Sequence, residues 1–409
     1  MVETLSRTAN GTMERTYVGT HPWINFTLNL KHAPLEFWMD LGAIQSKIEH
    51  VANALLPPEV ARKLQLLYLA KGVHATTAIE GNTLSEEEVR DRIDKKTTLP
   101  ESKSYLGQEI DNIVKACNAI WNQIFNGKDT SLSLTRIKAF NRLILDGLPL
   151  EKEVVPGKIR RHSVGVANYR GAPWKDCDFL VERLCEWLNA EFSAPHAELT
   201  TGFSVLRAIM AHLYIAWIHP FGDGNGRTAR LVEFQILLSG RVPTIAAHLL
   251  SNFYNQTRLD YYRSLEAARS QDGPLKFLMY AMRGLRDSLD EQIKRIRVHQ
   301  WDVAWRDYVY REFRGKRGDA VERRRLLALE LANSDQCLVP IRKLPRITAE
   351  LAELYAHKTI KTLTRDVHEL EQMKLVVREG KDCRVNGAIL SELLSPRKEN
   401  MVNTESAPT

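Results

Sequence analysis

The chain is poor in everything that would mark a membrane protein or a secreted scaffold. No run of about 18 apolar residues occurs among its 409 residues, so no membrane-spanning helix is predicted. Cysteine is scarce: Cys117, Cys177, Cys185, Cys337 and Cys383 are an odd number, widely spaced, with no C-x-x-C pair. That pattern argues against a disulfide framework and favours reduced, mostly buried thiols. The opening stretch, MVETLSRTANGTMERTYVG, has neither the basic nor the apolar region of a signal peptide. Together these absences predict a cytoplasmic protein with no membrane partner. Internal repeats and low-complexity tracts are missing as well.

What remains has the make-up of a globular protein, with 44% hydrophobic and 26% charged residues. The length suggests two or three domains, and a net charge of +7 permits an anionic partner without requiring one. Residues 1–20 and 396–409 are polar and aperiodic, and are expected to be disordered. Between them the spacing of apolar residues is mostly that of helices. LEFWMDLGAIQSKIEHVANAL is broken by Pro57-Pro58, and EVARKLQLLYLAKGVHATTAIEGN ends in Gly81-Asn82, a left-handed cap. LGQEIDNIVKACNAIWNQI and SLTRIKAFNRLILDGL are each closed by a glycine. GFSVLRAIMAHLYIAWI is apolar nearly all round, the pattern of a helix buried on most faces.

Two segments break this pattern. PGKIRRHSVGVANYRGAPW, residues 156–174, alternates around Gly165 and predicts a short hairpin. Residues 291–330 carry eleven Lys/Arg against seven Asp/Glu, and a domain boundary is placed between about 290 and 325.

The chemistry concentrates in WIHPFGDGNGRTAR, residues 217–230. Gly222, Gly224 and Gly226 alternate, so successive N–H groups can converge on an anion, and the turn runs into a helix N-terminus. Arg227 and Arg230, three apart, share a helix face and suit phosphate oxygens. Asp223 makes sense beside phosphates if a cation such as Mg²⁺ lies between them. His219 has the one side chain here whose ordinary pKa suits proton abstraction near neutrality. No Walker loop is present, no strand precedes the turn, and position twelve from Asp223 is Phe234, not the Glu of an EF-hand. A capped helix–helix turn with incidental charges is the plainer alternative.

His219 to Arg230 resembles the Fic-family motif H-P-F-x-[DE]-G-N-[GK]-R-x-x-R at every fixed position. The resemblance implies a mainly α fold: a Fic helical core over residues 101–290 and an N-terminal helical extension over 21–100. It also implies adenylyl transfer, in which AMP passes from ATP to a Ser, Thr or Tyr hydroxyl of a target protein or of the chain itself. His219 would be the base and Asp223 would hold Mg²⁺. Gly224, Asn225 and Gly226 would form the anion hole, with Arg227 and Arg230 on the distal phosphates. The hairpin aligns with the family's flap, in which Val164, Gly165, Val166 and Ala167 would pair with the target backbone. Thr76, Glu80 and Gly81 in TTAIEGN resemble the family's inhibitory motif, with Glu80 expected to take Arg230 from the γ-phosphate. Tyr261 aligns with the segment that closes over adenine, and Arg269 stands where many members carry asparagine. His212, seven residues before His219, reads most simply as a packing residue.

Beyond a basic helical linker, 291–325, residues 326–395 look like a winged helix-turn-helix. Ile347–Tyr355 and Lys358–Lys374 would be its helices and Leu375–Val385 its wing. Ile360, Leu363, Val367 and Leu370 would be buried, with Lys358, Lys361, Thr362 and Arg365 on the outer side. Such a module suits DNA, another protein or a homodimer contact. Three alternative readings stay open: a DNA-binding regulator that only senses nucleotide, a transferase with another donor, and an enzyme that removes AMP.

Overall fold

The structure, a computed structural model, describes residues 15–95, 100–166, 169–334 and 338–391. It is mainly helical and divides into two compact units, residues 1–296 and 297–409.

In the first unit, α1 (Thr16–Thr20) and α2 (Leu35–Ala52) lead to α3 (Pro58–Ala78). Pro58 occupies the first turn of α3, where a missing N–H costs nothing. The chain leaves this helix through Gly81, at φ +102. The next helix, α4 (Glu86–Ile93), starts on a reciprocal cap. Ser85 Oγ accepts the Glu88 N–H at 3.2 Å, and Glu88 Oε2 accepts the Ser85 N–H at 2.8 Å. α5 (Ser104–Phe125) and α6 (Leu134–Ile144) precede the hairpin strands β1 (Gly165–Val166) and β2 (Tyr169–Arg170). α7 (Cys177–Glu191) and α8 (Thr200–Ile218) follow, then α9 (Asn225–Ser239), α10 (Thr244–Ala247), α11 (Leu249–Gln256) and α12 (Arg258–Ala267). The unit boundary falls inside α13 (Gly273–Glu312).

The paired helices α8 and α9 form the centre of this unit. α8 buries Leu206, Ile209, Met210, Leu213, Tyr214, Ile215, Trp217 and Ile218, and α9 buries nearly every residue from Asn225 to Leu238. Ala197–Ile218 is long and apolar enough to cross a membrane on composition alone. Within the fold 78% of its most apolar window is buried, as in the core helix of a globular unit.

Residues 15–20 correct the expectation of a disordered start. The Tyr17 N–H donates to Asp176 Oδ2 at 2.9 Å, and His21 Nε2 lies 2.9 Å from the Arg170 carbonyl. Their partners lie some 150 residues downstream, out of reach of any local pattern. Residues 1–14 and 396–409, expected to be disordered, lie outside the described residues, as do Ala167 and Cys337.

In the second unit, α14 (Asp319–Ala332), β3 (Val339–Pro340), α15 (Ala349–Tyr355), α16 (Ile360–Gln372), β4 (Val376–Glu379), β5 (Asp382–Val385) and α17 (Ala388–Ser391) follow in order. The strands form an antiparallel sheet in the order β3-β5-β4. Leu363, Val367 and Leu370 are buried on α16, but Ile360 is 51% exposed, which corrects its assignment to the apolar stripe. Thr359 caps this helix through the Thr362 N–H, so Ile360 falls in the first turn, before the stripe enters the core. The buried polar position is instead Asp366, which accepts from Arg323 Nε at 2.7 Å and Arg324 Nε at 2.8 Å.

Candidate active site

The site begins where α8 ends. His219 adopts left-handed φ 52 and ψ 58, an uncommon conformation for a side-chain-bearing residue. Its side chain lines a cavity of about 480 Å³, together with Glu80, Tyr169, Gly226, Arg230 and Tyr261. His219 Nδ1 lies 3.3 Å from the Ala216 carbonyl. An Nδ1–H donated there leaves Nε2 as the free acceptor. Burial pushes the His219 pKa down to about 4, with the Ala216 hydrogen bond opposing and Arg160 adding to the fall. The ring is therefore neutral at neutral pH, the form a base needs.

The following turn is held by its own residues. Phe221 is buried, and the Asn225 side chain closes the loop on it, accepting the Phe221 N–H at 2.8 Å and donating to its carbonyl at 2.9 Å. Gly224, at φ +73, serves as the N-cap of α9, a conformation a side chain would strain. No side chain caps α9, which leaves the first-turn amides of Asn225, Gly226 and Arg227 to an anionic ligand. Asp223 accepts the Gly224 N–H and keeps its side chain 44% exposed.

Arg230 is almost wholly buried, and its Nε and Nη2 are both engaged. Its Nη2 donates to Glu80 Oε1 at 2.5 Å and to the Thr76 carbonyl at 3.0 Å, and its Nε to Thr76 Oγ1 at 2.8 Å. Burial opposes the charge of Glu80, yet the Arg230 guanidinium holds the carboxyl below its ordinary pKa. Arg227 is placed differently, outside the lining of the main cavity. It donates to Glu109 Oε1 at 2.5 Å and to Asp223 Oδ1 at 3.1 Å.

The hairpin lies beside the histidine. β1 and β2 pair antiparallel, Gly165 with Arg170 and Val166 with Tyr169, and the Gly171 N–H closes on the Val164 carbonyl at 3.1 Å. Gly171 permits the approach: a Cβ there would lie 2.8 Å from that of His219. Arg160, which the motif reading passes over, is buried and donates to the carbonyls of His219 (2.7 Å), His162 (2.7 Å) and Ala172.

Tyr261, which also lines the cavity, is 3% exposed, its hydroxyl 2.8 Å from His212 Nε2. His212 is thus more than a packing residue. Glu233 Oε2 lies 3.4 Å from its Nδ1, and Glu233 accepts from the Tyr254 hydroxyl at 3.0 Å. Arg269 lines the cavity as well, 5.3 Å from the Tyr169 ring centre. Glu109 lies on α5 and Arg160 in the segment before the hairpin, where no contiguous motif could have revealed them; Glu233 follows Arg230 by three residues on α9 but falls outside the motif. Among the described residues no group of three or more His, Cys, Asp or Glu side chains could hold a metal ion, so Asp223 stands as a lone carboxylate.

Residues 131–237 match the profile of the Fic/DOC family. Protein adenylyltransferase fic-1 of Caenorhabditis elegans is 27% identical over 233 residues, 56% of this chain and 41% of that protein. Protein adenylyltransferase Fic of Culex quinquefasciatus is 30% identical over 206 residues, 49% of this chain and 37% of the relative. The chain thus spans about two fifths of the length of the curated relatives it matches. A solved fragment of C. elegans Fic-1 superposes with a TM-score of 0.51 at 26% identity, covering 64% of this chain and 74% of the fragment. A Fic family protein from Desulfovibrio desulfuricans G20 shares the fold over 88% of this chain and 97% of its own, at a TM-score of 0.53 and 22% identity.

Proposed function

From the premise that this chain belongs to the Fic/DOC family, we propose that it is a protein adenylyltransferase held in check by Glu80. The observation that carries the reading is the convergence of His219, Gly226, Arg230 and Glu80 on one cavity. ATP would lie with its base toward Tyr261 and its phosphates over the first turn of α9. The target hydroxyl attacks the α-phosphorus and its proton passes to His219 Nε2. The bond to the β-phosphate oxygen breaks, and pyrophosphate leaves with the electron pair. Positioning and charge neutralisation supply most of the catalysis in such transfers. The hairpin at Val164–Ala167 is proposed to hold the target segment by backbone pairing.

A lone exposed carboxylate fits Mg²⁺ only when phosphates complete the coordination, the common arrangement for this ion. Asp223 would hold it, and the ion would offset the charge on the leaving pyrophosphate. Glu80 keeps the reaction off by occupying Arg230, the cation that the γ-phosphate requires. With labelled ATP, Glu80→Gly is expected to raise AMP transfer to the chain itself or to added proteins at least tenfold, and His219→Ala to abolish it. Transfer that survives the loss of His219 would refute its role as the base. Retained nucleotide binding without any transfer would favour a nucleotide sensor instead, and release of AMP from a modified target would favour removal.

For the second unit the proposal is a winged helix-turn-helix facing DNA. Its support is the exposure of Lys358 just before α16 and of Lys361 and Arg365 on it, opposite Leu363 and Val367. Duplex binding that weakens steeply with salt tests it. The cytoplasm is the proposed location.

A further inference from the structure

Both motif arginines end on carboxylates, but only Arg230 lines the main cavity. Arg227 does not reach that cavity: it lines a void of about 20 Å³ behind it, with Thr76, Ile113, Leu231 and Arg230, and its side chain is 7% exposed. A buried guanidinium must be compensated, and Glu109 from α5 and Asp223 from the turn compensate this one. Glu109 is itself fixed, since its other oxygen accepts from Asn82 Nδ2 at 2.8 Å. Asn82 belongs to the inhibitory turn, two residues after Glu80, and its N–H donates to the Thr77 carbonyl at 3.1 Å.

The geometry points to Arg227 as a positioning residue: it acts on Asp223 rather than on the nucleotide, and Glu109 anchors it. This rests on the adenylyl-transfer reading and goes beyond it. Arg227 Nη2 and the Gly224 N–H both engage Asp223 Oδ1, which fixes the carboxylate and leaves Oδ2 for a cation shared with phosphates. Glu109 draws the guanidinium toward the core and keeps it from closing fully on Asp223. One line of contacts, Asn82–Glu109–Arg227–Asp223, therefore joins the inhibitory turn to the metal side of the site.

The test is ATP affinity by calorimetry in the full-length Glu80→Gly chain, with EDTA and with Mg²⁺, each variant's fold being checked by near-UV circular dichroism. Arg230→Gln is expected to lower affinity at least tenfold under both conditions. Arg227→Gln and the isosteric Glu109→Gln are expected to leave the EDTA affinity within twofold and to erase most of the gain due to Mg²⁺, matching Asp223→Asn. In Glu109→Gln the unopposed Arg227 closes on Asp223 and competes with the ion. If Arg227→Gln does not fold, Glu109→Gln carries the test alone. The inference is overturned if Arg227→Gln lowers EDTA affinity as Arg230→Gln does, if Glu109→Gln keeps the full gain, or if the parent binds ATP with no gain from Mg²⁺. A parent that binds no ATP at all sinks the adenylyl-transfer reading, and this inference with it.

Discussion

Glu80 Oε1 lies 2.5 Å from Arg230 Nη2 across 150 residues of sequence, and Thr76, in the last turn of α3 just before Glu80, takes two further donor contacts of that guanidinium. The clamp is therefore shared between a charge and a neutral hydroxyl–carbonyl pair. Thr76→Val keeps the carboxylate but removes the hydroxyl. It should raise AMP transfer a few-fold, less than Glu80→Gly, since one neutral hydrogen bond is worth about 1 kcal/mol. Equal activation by the two variants would mean that the charge does not carry the clamp.

Gly226 lies directly beneath the Glu80 carboxylate, where an added Cβ would overlap Oε1. Gly226 has an ordinary backbone conformation, and the obstructing atom is the end of a flexible side chain. Gly226→Ala should accordingly fold and displace Glu80, raising nucleotide affinity in the intact chain. Gly224→Ala, at φ +73, should instead lose stability by about 1–2 kcal/mol. Thermal melts beside ATP titrations separate the two.

A base whose pKa is pushed down to about 4 stays unprotonated far below neutrality. The acid limb of single-turnover AMP transfer should lie near pH 4–5 rather than at the ordinary histidine value of about 6.5. An acid limb at pH 6–7 would show that nucleotide binding rehydrates the ring. Because the Glu80 carboxylate favours the protonated ring, Glu80→Gly should not shift the limb upward.

His248 lies stacked on Phe234, ring centres 4.5 Å apart, and burial pushes its pKa to about 4. A depressed histidine binds its proton more readily when unfolded, so its contribution is complete above about pH 6.5 and declines as pH falls toward 4. The melting temperature of the first unit should fall across that window. Gly72 of α3 abuts this ring closely enough that a Cβ would overlap it. Gly72→Ala should cost about 1–3 kcal/mol by overpacking, read in denaturant melts at pH 7. A neutral result would mean that α3 shifts easily.

In the second unit Asp366 is fully buried and compensates Arg323, whose side chain is 5% exposed. Asp366→Ala leaves that charge uncompensated and should cost about 3–5 kcal/mol. Calorimetry of the full chain should show one transition moving down while AMP transfer by the first unit persists.

The site was legible to the extent that it is contiguous. His219 to Arg230 carries the proposed base, the proposed anion turn and the Asp223 carboxylate in twelve residues, each placed by its neighbours in sequence. Glu80 was found because its own short motif stands beside that stretch. Glu109 and Arg160 were not found, since they meet their partners across 118 and 59 residues and look locally like ordinary helix and loop charges. The aperiodic polar start failed as a sign of disorder because its partner, Asp176, comes from another element. Ile360 failed because helical spacing alone does not say where a helix enters its core. The capping box at Ser85 and Glu88 was in plain view, but it opens a helix too short and too charged for periodicity to mark.

Arg160 adds a constraint on how such a chain can change. One guanidinium grips the carbonyl of His219 and both ends of the hairpin, so whatever docks on the hairpin is measured from the same fixed point as the proton acceptor. New targets can be gained cheaply through side chains that point off the hairpin. On the proposed reading, a change in the hairpin's path, by contrast, would shift the His219 backbone along with it and lower kcat together with affinity. On that reading, target choice and chemical competence are inherited as a pair.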